Sequence, residues 1–177
     1  MGGEMFAGSA TRELASGAQF TVWCLRTRLV CKRKGEDARP RIDHGFEVAG
    51  VPEVARDFDQ LFDWLDGAAT KPVAIGCFCC KQVSPDEAQV LSAVAAAQGG
   101  DRESCERLLG ALLSPVAAHE ATRAAMRLAS ALAAVDLPVA VDRPRADPTQ
   151  PAHGAARPGE PHGWPAATAA PGSAAVH

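Results

Sequence analysis

At 177 residues the chain suits one folded domain with an appendage. Hydrophobic residues make up 47%, but aromatics only 5% and tyrosine is absent, so the expected core is helix on helix around small side chains. A net charge of −3 argues against bulk nucleic-acid or anionic-membrane binding, which draws on a basic surplus, and no apolar run reaches the roughly 20 residues of a bilayer span.

The opening Met1-Gly-Gly-Glu-Met-Phe6 has no basic region followed by an apolar stretch, so no signal peptide is expected. Position 6 also breaks a myristoylation pattern. The expected location is the cytoplasm, where thiols stay reduced. Clustered cysteines there suggest metal or redox chemistry rather than a disulfide framework.

Residues 1–10 read as a flexible leader. Thr11 can cap a helix, with Glu13 in its first turn, and Gly17 weakens or interrupts it. From 18 to 34, Phe20, Trp23, Cys24, Thr27, Val30 and Cys31 share one helical face, and Val22, Leu25 and Leu29 form a second apolar strip. A helix is the preferred reading, although Phe20-Thr-Val-Trp23 has strand character. Residues 35–45 carry Gly, Pro and charge and read as a loop. Val51, Val54, Phe58, Leu61, Phe62 and Leu65 then recur at helical spacing, and Gly67 ends that element.

Residues 72–79 read as a short extended segment. Ser84-Pro-Asp-Glu87 is a helix start: Ser84 caps, Pro85 takes the first position and Glu87 returns the capping bond. That helix stops at Gly99-Gly100. Asp101 caps the next, on which Cys105, Leu108, Leu109, Leu112 and Leu113 form a stripe. Ser114-Pro115 opens a last helix to about Val135, whose alanines permit close approach of a neighbour. Eight of the 13 prolines lie from 138 onward, so 138–177 reads as a disordered tail. The expected fold is therefore mainly α: a compact bundle of about five helices over 11–137 with one short extended segment.

Cys77, Cys79 and Cys80 place half of the six cysteines in four positions. Extended, Cys77 and Cys79 point to one side and Cys80 to the other; in a turn all three can converge. Three readings stand side by side. Thiolates bind zinc or an iron–sulfur cluster, and a closed zinc site needs about four ligands, for which Cys105 and His119 are the candidates, then Cys31 and His44. Cys80 also precedes a helix whose positive end, with Lys81, favours a thiolate and hence redox chemistry. Alternatively, the cysteines are small hydrophobes in a core, the favoured reading for Cys24, Cys31 and Cys105.

From Arg26 to Arg41 seven basic residues face two acids; from 46 to 66 six acids face one Arg. A helical hairpin with complementary flanks explains this pattern better than a nucleic-acid helix, because Arg28 and Lys32 lie on one flank and Arg26 and Arg33 on the other. His153, His162 and His177 are too widely spaced for a site. No zinc-protease, phosphate-loop or nucleophile-elbow motif argues for an enzyme.

The segment Cys77-x-Cys-Cys-x-x-x-Ser-Pro-Asp-Glu87, with its following helix to Ala-Ala-Gln98, resembles small uncharacterised helical proteins of GC-rich bacteria over about residues 10–135. The resemblance implies a bacterial cytoplasmic protein and transfers no catalytic residue. The resulting expectation is a non-enzymatic regulatory or adaptor protein that binds metal, zinc first, at the cysteine cluster and meets a protein partner. A thiol-redox protein and a plain helical interaction domain are the alternatives.

Overall fold

The computed structural model describes residues 5–141. Six α-helices account for most of them: α1 (Ser16–Lys34), α2 (Arg39–Val48), α3 (Ala55–Gly67), α4 (Pro85–Gln98), α5 (Arg102–Gly110) and α6 (Pro115–Ala134). Among the described residues only isolated β-bridges occur, with no strand. None of the described helices is long and apolar enough to cross a membrane.

Helix α4 is buried almost all round, through Ala88, Val90, Leu91, Ala93, Val94 and Ala97. It packs against α1, α5 and α6. The alanine face of α6, Ala117, Ala118, Ala121, Ala124, Ala125 and Ala129, is buried against α3, α4 and α5, as short side chains allow. The periodic residues of α3 are all buried, with Val51 and Val54 placed by a 3-10 turn ahead of it. Phe20, Phe46, Phe58 and Phe62 form a chain of ring contacts that joins α1, α2 and α3.

The segment expected as a loop, 35–45, holds most of a helix, α2. Pro40 sits in its first turn, where no N–H is needed, and Ile42 and Phe46, four apart, are buried. At Gly45 the Trp23 ring lies close over the helix: a Cβ would lie 2.6 Å from it, so the ring would have to shift. The charge complementarity nevertheless connects α1 to α3. Arg28 pairs with Asp63 at 2.7 Å and lies over the Phe62 ring, Lys32 pairs with Asp66, and Asp59 lies near both Arg28 and Arg39. Burial still pushes the Asp59 carboxyl up, against the pull of those guanidinium groups.

Both ends of the described chain are packed beyond the expected 11–137. Phe6 is fully buried, and Thr11 donates its N–H to the carbonyl of Lys81 at 2.8 Å. Thr11–Glu13 is a single 3-10 turn, so α1 starts at Ser16. The chain after α6 then returns along the start of α1. Gly17 N–H donates to Pro138 O and Ala15 N–H to Ala140 O, while the Gln98 amide bonds Leu137 O and Val139 N. Val139 is buried. The expected tail over 142–177 lies outside the described residues.

Gly17 is thus the point where another stretch of backbone crosses a helix. A Cβ there would lie 2.7 Å from the carbonyl oxygen of Pro138. Alanine normally favours a helix over glycine by about 1 kcal/mol, but backbone must move to admit it here. Gly17→Ala is expected to cost about 1–3 kcal/mol in urea unfolding. A stabilised variant would show that the crossing is not close.

Candidate functional site

The three clustered cysteines lie on the segment between α3 and α4, and that segment is shaped by a buried ion pair. Glu87, in the first turn of α4, is 0% exposed, and Arg26, in the middle of α1, is 4% exposed. One Glu87 oxygen accepts from Arg26 Nε at 2.8 Å and from Gly76 N–H at 3.1 Å. The other accepts from Arg26 Nη2 at 3.0 Å and from Ser84 N–H at 2.9 Å. The Arg26 fork continues outward: Nη1 donates to Cys80 O at 2.7 Å and Nη2 to Gln82 O at 2.9 Å. Burying two charges is costly, and this geometry offsets the cost by giving the carboxylate four donors. The hydrogen bond to Glu87 raises the Arg26 pKa further and holds its charge.

The capping box expected at Ser84 and Glu87 is present, and Ser84 Oγ also donates to Ala74 O. Asp86 accepts from Ala74 N–H at 2.7 Å and pairs with Lys71 at 3.1 Å. The segment is therefore fastened at Ala74, Gly76, Cys80 and Gln82, and Ala10 pairs with Gln82 in an isolated bridge. Gly76 lets the guanidinium lie close to the backbone: a Cβ there would lie 3.0 Å from Arg26 Nη2.

Between those fastenings the chain makes a turn, with Cys80 N–H donating to Cys77 O at 3.0 Å. The turn brings the three sulfurs together. Cys77 and Cys79 form a disulfide with Cα atoms 5.3 Å apart, and Cys80 Sγ lies 2.7 Å from Cys77 Sγ. Cys80 Sγ also accepts the Cys77 N–H at 3.2 Å. All three sulfurs lie within 4.8 Å of one another, so the reduced cluster could hold a metal ion. Cys79 is exposed, Cys77 and Cys80 are partly exposed, and Phe78 stands out at 54% exposure.

The other candidate ligands lie elsewhere. Cys105 is fully buried on α5, and burial pushes its thiol up to about 11. His119, on α6, is exposed and faces Glu106 at 3.3 Å. Cys31 is buried and accepts from Arg41, and His44 is exposed 3.6 Å from Glu47. Burial raises the Cys24 thiol well above its usual range. Among the described residues no fourth His, Cys, Asp or Glu joins the cluster.

Sequence reasoning missed Arg26. Helical spacing places it with Arg33 on one flank, yet it stands among the buried residues Leu25 and Thr27 of a helix with two apolar faces. A charge with no exposed side was the available signal. No protein-family model, curated protein or solved structure matches the chain.

Glu87→Gln keeps the shape of the side chain but leaves a buried guanidinium without its counter-charge. Breaking such a pair costs about 3–5 kcal/mol. The expected result is a fall in Tm of roughly 10–20 °C by calorimetry. A fall of only a degree or two would mean that the pair does not hold this segment.

Proposed function

We propose that Cys77, Cys79 and Cys80 form a thiol–disulfide exchange centre. The observation that carries this reading is the Cys80 thiol in contact with a sulfur of the Cys77–Cys79 disulfide. A bridge that closes three residues constrains the unfolded chain little, well below the ~3 kcal/mol of a 15-residue loop, so a stapling role accounts poorly for it. Exposed disulfides are also the labile ones. In the exchange, the Cys80 thiolate attacks Cys77 Sγ. The Cys77–Cys80 bond forms as the Cys77–Cys79 bond breaks, and Cys79 leaves as a thiolate that takes up the proton lost by Cys80. No net oxidation occurs; the bridge migrates and the free thiol moves to the exposed Cys79.

A second reading rests on the convergence of all three sulfurs. Once reduced, they could bind a thiophilic metal, zinc first and an iron–sulfur cluster less readily, in a regulatory or adaptor protein that meets a protein partner. Three protein ligands leave a position for an external group, whereas closed structural zinc sites use four.

The test is to oxidise the anaerobically purified protein to one disulfide, alkylate the remaining free thiols without denaturation and locate the label by mass spectrometry. The expected label divides between Cys79 and Cys80, with Cys24, Cys31 and Cys105 unlabelled until the chain is denatured. Label on Cys80 alone, unchanged by prolonged incubation, would overturn the exchange reading. Stoichiometric metal that resists oxidation, and is lost when all three cysteines become serine, would favour the metal reading.

A further inference from the structure

We infer that the small molecule exchanging with this disulfide is a thiol bearing a carboxylate. The inference rests on the exchange reading above and concerns the cavity beside the turn. That cavity has a volume of about 320 Å³, and Phe78, the residue between the two bridged cysteines, forms one wall. Val22 and Trp23 of α1 supply further apolar lining, and Gln19 and Arg12 add polar groups. The volume lies at the low end of small-molecule sites, roughly 300–1,000 Å³, and suits a compact ligand with one apolar part rather than a folded partner.

Charge gives the site its selectivity. Arg12 is exposed and has no ion pair among the described residues. Its neighbour Thr11 bonds the carbonyl of Lys81 through both N–H and hydroxyl, which ties the Arg12 turn to the end of the thiol segment. The other cation lining the cavity, Arg26, is neutralised by Glu87. The adjacent acid, Glu13, turns its carboxylate back to the Ala10 N–H and does not line the cavity. The cavity therefore offers one guanidinium without an ion-pair partner among the described residues next to an aromatic wall, and its link to the disulfide is Phe78, which stands between the two bridged cysteines. A carboxylate on the incoming thiol meets Arg12 while its carbon chain lies against Trp23 and Phe78.

The reaction balances with two equivalents of that thiol. The first thiolate attacks Cys79 Sγ, forming a mixed disulfide as the Cys77–Cys79 bond breaks and Cys77 leaves as a thiolate. The second thiolate attacks the ligand's sulfur in the mixed disulfide, forming the ligand's own disulfide as Cys79 leaves. The two protons of the incoming thiols end on Cys77 and Cys79. The protein is reduced by two electrons, and the two thiols are oxidised by the same number.

The experiment reduces the oxidised full chain with three probes of similar size: 3-mercaptopropionate (anionic), 2-mercaptoethanol (neutral) and cysteamine (cationic). Each rate in wild type is divided by its rate in Arg12→Ala, which cancels the intrinsic reactivity of the thiol. Arg12 is exposed, and an unchanged Tm checks that the variant folds. The expected ratio is about 2- to 5-fold for the anion, as suits an exposed charge contact, close to one for the neutral thiol and below one for the cation. Arg12→Glu should reverse the order, and added salt should erase it. Equal ratios for all three thiols would overturn the inference while leaving the exchange reading intact. No reduction by any of them would overturn both.

Discussion

The pairing of Arg26 with Glu87 is the constraint on which the thiol segment depends. Two charges on separate helices, both removed from water, are each stable only while the other is present. Together they collect Gly76 N–H, Ser84 N–H, Cys80 O and Gln82 O, backbone groups from both sides of the cysteines. The same carboxylate completes the cap of α4, the helix at the centre of the bundle. A segment without a sheet thereby acquires a defined path across the surface, and a tight turn is left at its middle.

That turn determines which sulfurs meet. An extended path would have directed Cys80 away from the other two sulfurs; the Cys77–Cys80 turn gathers all three. Exposure then separates them from the rest. Cys24, Cys31 and Cys105 lie in the core, and for Cys24 and Cys105 desolvation disfavours the thiolate, whereas the clustered sulfurs reach solvent. Only the cluster combines proximity with access.

Much of the fold was legible because it is written in local patterns. The α3 stripe, the Ser84–Glu87 capping box, the Asp101 cap and the alanine face of α6 all depend on residues within a few positions of one another. What was missed depends on partners distant in the chain. Gly17 looks like a helix breaker and Gly45 like part of a loop until Pro138 and Trp23 are seen against them. Arg26 looks like one of seven cations until Glu87, 61 positions away, is seen to hold it. Phe6 looks like part of a leader until its burial is known. At the candidate site, the density of cysteines drew attention to the segment from sequence, but the choice between an extended path and the turn that makes the sulfurs converge stayed open. Cys105 and His119 entered as candidate ligands because they lie on later helices that could fold back over the cluster, and the packing puts one in the core and the other opposite Glu106.

The most direct test of this account is an equilibrium redox titration of the full chain against a thiol–disulfide buffer, read by mass after quenching with an alkylating reagent. The account predicts one reversible two-electron transition within the roughly −320 to −120 mV spanned by known exchange proteins and cellular thiol pools, located at Cys77, Cys79 and Cys80 and lost when the three become serine. A cluster that stays wholly reduced or wholly oxidised across that range would contradict it.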